Sequence, residues 1–345
     1  MNNTMYFLAF ALVCFSLLWI AFGPAWQEWR HPTDLQPLPI AANYTSNIDH
    51  FSDQFRAIAL ARITGQPMSS HAVFEFVPDT HDQVDWSAAK RPLISFNALK
   101  SRRAIECRPP LFVNGDVVLD ANNRFSGLHA QGNVQLGPNS EISEWAHADG
   151  SLYLQAGCIA LRRISSAIAI ALDHECCFER LHAPVVHFGP DTGQPATADE
   201  PSLIESSFSE IDGAVRRSDS LYLVQGNCKL PRGRLYRGSL IVTGRLLIGT
   251  CTQVIGDVKA RAGVVVGAKA RIEGALTSEK QIQLLSQASV MGPVVSETVI
   301  LMGGHSRIGS PALPTTVSAE NIVAEAGAVA HGTVWARDLG VVWSG

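Results

Sequence analysis

The run Asp173-His174-Glu175-Cys176-Cys177 gathers side chains that bind transition metals. Zinc sites space paired ligands by two or more residues and complete the set from a second cluster. No matching second cluster exists in this sequence, so the run reads better as the corner of a coil than as a metal centre. Deprotonating an acceptor hydroxyl calls for a histidine. In the C-terminal repeats described below, His305 and His331 are the candidates, and each reads better as a turn or surface residue. Asp257 and Glu273 are too isolated to form the acidic cluster that polysaccharide cleavage needs, and neither a phosphate-binding glycine motif nor a nucleophile elbow is present. The expectation is a chain without catalytic, cofactor or metal residues.

What would have to position such residues is a repeat. From residue 254 the sequence recurs every 18 residues: Val254, Ile272, Val290 and Ile308; Val258, Leu276 and Val294; Val264, Ile282 and Ile300. A finer period of six runs inside each 18, and charges such as Asp257, Lys259, Arg261, Lys269, Arg271, Glu273 and Glu279 fall between the apolar positions. Three six-residue faces then close one coil, with two side chains per face pointing into a prism-shaped core. A single coil cannot bury its apolar side, so coils stack and pair their backbones in parallel ladders. These ten residues are the predicted core.

A fainter version of the repeat appears earlier. Val117, Val134, Leu152 and Ile170 are spaced 17, 18 and 18 apart, and Leu119, Leu136, Leu154 and Leu172 keep the same steps. The reading is a first β-helix segment over 110–189, an acidic, proline-bearing insertion over 190–219, and a second segment over 220–345. Before them, Ser46-Asn47-Ile48-Asp49 resembles a capping box. Ile48, Phe51, Phe55 and Ile58 give the following helix one apolar face, and Gly65 and Pro67 stop it. A strand is predicted at 72–77. Residues 46–109 are expected to cap the N-terminal end of the helical stack. At the other end Val334, Trp335, Leu339 and Val341 lie beyond the last clear repeat with no helix to cover them. They are the expected self-association edge, joining two molecules tail to tail into a dimer or small oligomer.

Residues 1–26 carry no charged side chain, and Met5 to Trp26 is nearly all apolar. Twenty-two helical residues reach about 33 Å, the thickness of a bilayer core. Phe7, Leu8, Leu12 and Leu17 would face lipid, with Trp19 and Trp26 towards an interface. The sequence thus predicts a single-pass anchor in a bacterial inner membrane and a proline-bearing linker over 27–45. Arg30 after the span, and seven cysteines in no paired framework, place the body in the cytoplasm, with a periplasmic body as the alternative. The 345 residues are 46% hydrophobic and 17% charged, with a net charge of −4. The basic residues are scattered, which gives no footprint for nucleic acid.

The stretch from Gly238 to Gly309 resembles the bactofilins, bacterial polymer-forming cytoskeletal proteins. The residues that carry the resemblance are Val254-Ile-Gly-Asp-Val-Lys-Ala260, Ile272-Glu-Gly-Ala-Leu-Thr-Ser278 and Val290-Met-Gly-Pro-Val-Val-Ser296. The resemblance implies a right-handed, triangular, all-β parallel β-helix that polymerises without nucleotide, attaches to the membrane and positions a client protein of the envelope machinery. Left-handed hexapeptide-repeat acyltransferases share the 18-residue coil. They prefer a small residue four places after the apolar one, where this chain has Val258, Leu276 and Val294. A periplasmic β-helix protein that organises polysaccharide is a third reading.

Overall fold

The structure is a computed structural model, and it describes residues 3–30, 48–65, 73–78, 84–190 and 203–343. The chain divides into two units, Met1–Ser46 and Asn47–Gly345. The first unit contains helix α1 (Asn3–Arg30), which runs on through Gly23 and Pro24 to polar Gln27 and Arg30. Phe7, Leu8, Leu12, Leu17, Trp19 and Trp26 on it are exposed. The membrane anchor must be corrected. Crossing a bilayer takes an unbroken apolar helix of about 20 residues, and among the described residues no helix is long and apolar enough. The single-pass inner-membrane location falls with it. The linker at 31–45, together with Ser46, Asn47 and Pro67, lies outside the described residues.

Among the described residues the second unit is a parallel β-solenoid of about 14 turns, whose strands form one continuous 33-stranded sheet. Most coils have three short strands, and partners stack in register one coil apart. In the C-terminal half Leu240 sits over Val258, Leu276, Val294 and Val317 on one face. Leu246, Val264, Ile282, Ile300 and Ile322 form the second column. Tyr236, Val254, Ile272, Val290, Ile308 and Ala330 form the third. The ten predicted core residues, Val254, Val258, Val264, Ile272, Leu276, Ile282, Val290, Val294, Ile300 and Ile308, are all at most 1% exposed. Each such burial stabilises by about 1.5–3 kcal/mol relative to exposure, and the alternation of inward and outward residues fixes the register.

The corners also recur. Cys251, Lys269, Gln287 and His305 hold φ between 57° and 61° at 18-residue intervals, and in the first half Asn122, Asn139, Gly157 and Glu175 hold φ between 56° and 69° at steps of 17, 18 and 18. Non-glycine residues adopt that conformation rarely, so its repetition shows that the corner dictates the backbone.

The first half starts at Glu75, not near residue 110: Glu75 pairs with Leu93, and Leu93 with Leu111. Two coils were hidden in the expected cap region. Within the expected strand at 72–77, Glu75–Phe76 is extended, and residue 72 lies outside the described residues. At the far side of the insertion, residues 191–202 lie outside the described residues, while Ile204–Ser206 and Ala214–Arg216 pair with the first coil of the second half.

The C-terminal edge is the largest departure from expectation. Strand Ala328–Trp343, the last coil of the second half, pairs antiparallel with strand Cys177–Phe188, the last coil of the first half. The pairing covers all three faces: Phe178 opposite Gly340, Leu181 opposite Val334, and Val186 opposite Ala330. The predicted self-association residues are therefore occupied within the chain. Val334 is buried, Trp335 lies opposite Arg180 with the guanidinium 5.2 Å from its ring, and Val341 faces Cys177. Leu339 stays part of the same strand, paired with Asn321 on the coil below. The tail-to-tail contact exists, but between two halves of one molecule. The repeat gave no sign of it because the two halves differ in sequence.

Both outer ends of the prism are filled by one aromatic residue on a short 3₁₀ turn. At the first end it is Trp86 (turn Trp86–Ala88), buried against the core and preceded by Asp85, whose side chain accepts from the Ala88 N–H. At the other it is Phe208 (turn Phe208–Glu210), which stacks on Tyr236 at 4.8 Å under a complete capping box from Ser207.

Candidate functional site

Helix α2 (His50–Thr64) does not cover the end of the stack. It lies along a side face, against the strands Leu111–Val113, Arg124–Ala130 and Glu141–Ala148. Gly65, with φ +69°, ends it as expected. Of the expected apolar face, Ile48 is buried and Phe55 and Ile58 pack inward with Ala59, but Ser52 takes the place expected for Phe51, which is left outside beneath the Arg163 guanidinium. The reason is polar. Ser52 enters the interface because it has a buried partner there.

That partner belongs to an outward-facing column. Ile94, Phe112, His129, His147, Ser165 and His182 occupy equivalent positions on successive coils, and Thr333 continues the column across the junction. The rings stack as the coils do: Phe112 on His129 at 5.2 Å, and His129 on His147 at 5.3 Å. Ser52 Oγ lies 2.7 Å from His129 Nδ1. His147 Nδ1 is 2.8 Å from Ser165 Oγ and 3.5 Å from Asp49 Oδ1, and its Nε2 is 3.3 Å from Asp149 Oδ1. Arg56 on α2 reaches the other oxygen of Asp149 at 3.2 Å. His182 Nδ1 pairs with Thr333 Oγ1 at 2.9 Å.

Beside the column, Phe55 meets the edge of Trp145 at 5.5 Å. The Trp145 indole lies over Gly127, where a Cβ would come within 2.7 Å of the ring. Only glycine lets the indole lie so close to that strand.

The electrostatics follow from burial. His129 is fully buried, and desolvation, with like charge from His147 and Arg56, pushes its pKa down to about 3. Burial opposes the charge on Asp49, yet hydrogen bonds from His147 and Ser165 outweigh it and hold the carboxyl below its usual range. Asp49 is the N-cap of α2 but makes no side-chain bond to the helix backbone. The Ser46 end of the expected capping box lies outside the described residues, and the Asp49 carboxylate turns to His147.

Ser165, His147 and Asp149 are joined in the order of a hydrolytic relay. Ser165 is 2% exposed under the helix, and its hydroxyl also points to the Ala146 carbonyl at 3.4 Å. This is the geometry of a clamp between α2 and the solenoid. Among the described residues no three His, Cys, Asp or Glu side chains are grouped to hold a metal.

The residues singled out from sequence scatter. Asp173 binds His174 at a corner, Glu175 holds the left-handed corner position, Cys176 points inward and is buried, and Cys177 faces out at the junction. His305 is a corner residue of the same kind, and His331 Nδ1 rests 3.0 Å from the Pro184 carbonyl at the junction. Asp257 caps a corner by accepting from the Ala275 N–H, and Glu273 pairs with Arg271. The column itself was missed in the sequence. Its signal was the spacing of 129, 147, 165 and 182, one coil apart, with each histidine lying between two inward apolar residues.

No protein family matches this chain, and neither a curated protein nor a solved structure matches it.

Proposed function

We propose that this chain is a non-catalytic, bactofilin-like scaffold that works as a discrete rod and presents its side faces to a client protein of the cell envelope. What carries the reading is the junction: both last coils pair with each other, and neither offers a free edge. The resemblance of Gly238–Gly309 to bactofilins supports the scaffold role. The plugged ends argue against the open filament that the resemblance implies. At about 4.8 Å per coil, some 14 coils make a rod about 60 Å long with a continuous core. Some of its surface charges pair across coils, as Arg261 does with Glu279 at 3.2 Å.

The reading is tested by opening the ends. Full-length protein in a mild detergent should sediment as one discrete species at all concentrations. The double variant Trp86→Ala, Phe208→Ala should form concentration-dependent longer species, because it bares core and strand edges at both ends. Filaments from the unaltered chain would sink the discrete-rod reading.

A further inference from the structure

The α2 interface combines two features that a purely structural helix contact would not need. Its apolar part (Phe74, Ile94, Phe112 and Ala59, with Phe55 and Ile63 packed on them) is continuous with a buried histidine column. The innermost ring, His129, has its Nε2 buried without a hydrogen-bond partner, 3.9 Å from Asp149. We infer that α2 is an acid-released latch, docked while His129 is neutral and freed when that ring takes a proton, which uncovers the aromatic side face beneath it.

The charged and titratable groups around His129 set the sign. From α2 and its cap come Asp49, Asp53 and Arg56, and Arg56 repels a second cation there. From the solenoid come His147 stacked above, Asp149 beside it, Arg163 under Phe51, and His182 two coils further. Among the described residues Asp149 is the carboxylate that pairs with the His129 ring and so favours the cation. It is already engaged by Arg56 at 3.2 Å and His147 at 3.3 Å, and is 3.9 Å from His129.

Docked, His129 titrates at about 3; released into water it titrates near 6.5. A group whose docked pKa is depressed contributes its full share above the free value and loses it as pH falls. The docking equilibrium therefore weakens up to about tenfold per pH unit below about 6.5. Asp49 adds to the loss only at more acid pH, once its own carboxyl protonates.

Hydrogen exchange of the full-length protein, corrected for intrinsic rates, reads this directly. Between pH 7.5 and 5.0 the protection of residues 50–64 should fall by about 30-fold, while strands Val134–Leu136 and Leu152–Leu154 keep theirs. In His129→Gln the same segment should show no pH dependence. Unchanged protection in the unaltered chain overturns the latch, as does a full slope retained in His129→Gln, which assigns the proton to another group. If His129→Gln has lost α2 already at pH 7.5, Ser52→Ala decides. It keeps the titrating ring, so weaker docking with the same slope supports the latch, and a lost slope overturns it.

Discussion

Gly340→Val should split the rod at its middle, lowering stability by about 3 kcal/mol or more and replacing one unfolding transition with two. Gly340 lies opposite Phe178 across the antiparallel junction, and a Cβ there would clash with the Phe178 ring at Cδ2, Cε2 and Cζ. Phe178 has nowhere to go: it is fully buried and packed on Phe188 at 5.6 Å. Overpacking of this kind usually costs about 1–3 kcal/mol, and here the clash also separates two coils. Coils in a solenoid contact only their neighbours, so breaking one interface uncouples the halves. Calorimetry would show the second transition, and hydrogen exchange would rise at 177–188 and 328–343 first. A single transition at the unaltered temperature would mean that the halves do not meet through Phe178 and Gly340.

The second large effect is expected in the core of the C-terminal half. Ile282 is fully buried between Val264 and Ile300 in its column. Ile282→Asp puts a carboxylate there with no cation or donor in reach, so the group must either stay charged at high cost or protonate. A loss of at least about 3 kcal/mol is expected. Gln281, one residue earlier, is exposed, and Gln281→Asp should change stability by less than about 0.5 kcal/mol. Denaturant melts of the two variants give the comparison, and equal losses would reject the in–out register.

The C-terminal coils were legible because their inward positions are nearly all aliphatic and the 18-residue step never slips between Leu240 and Ile308. The early coils were not, for a physical reason. Ile94, Phe112 and Trp145 point outward yet are apolar, because α2 covers that face, so the alternation that marks a half-exposed strand is erased. The steps of 17 residues, as from Leu111 to Leu128, blur the period further.

The junction was beyond reach of any repeat analysis. Antiparallel pairing between coils some 150 residues apart depends on complementary ends and leaves no periodic trace. The apolar residues at the C-terminus mark a sticky edge, but nothing in their spacing distinguishes a partner in the same chain from one in a second molecule. The candidate site was missed for a similar reason. His129 and His147 each look like isolated surface histidines until the coil stacks them and Ser52 is brought in from 77 residues away.

The antiparallel junction also sets an order of events during synthesis. The first half is complete once residue 188 has emerged, but the strand that closes it, Ala328–Trp343, is the last to be made. At about 5–20 residues per second, a finished stack waits roughly 7–30 seconds with a bare row of backbone donors and acceptors. Its partner half must start at the far end and build back towards it. While it waits, that edge is equally open to the closing strand of a neighbouring nascent chain. Two chains on one polysome can then exchange halves, giving a domain-swapped pair held by the same contacts that close the single rod.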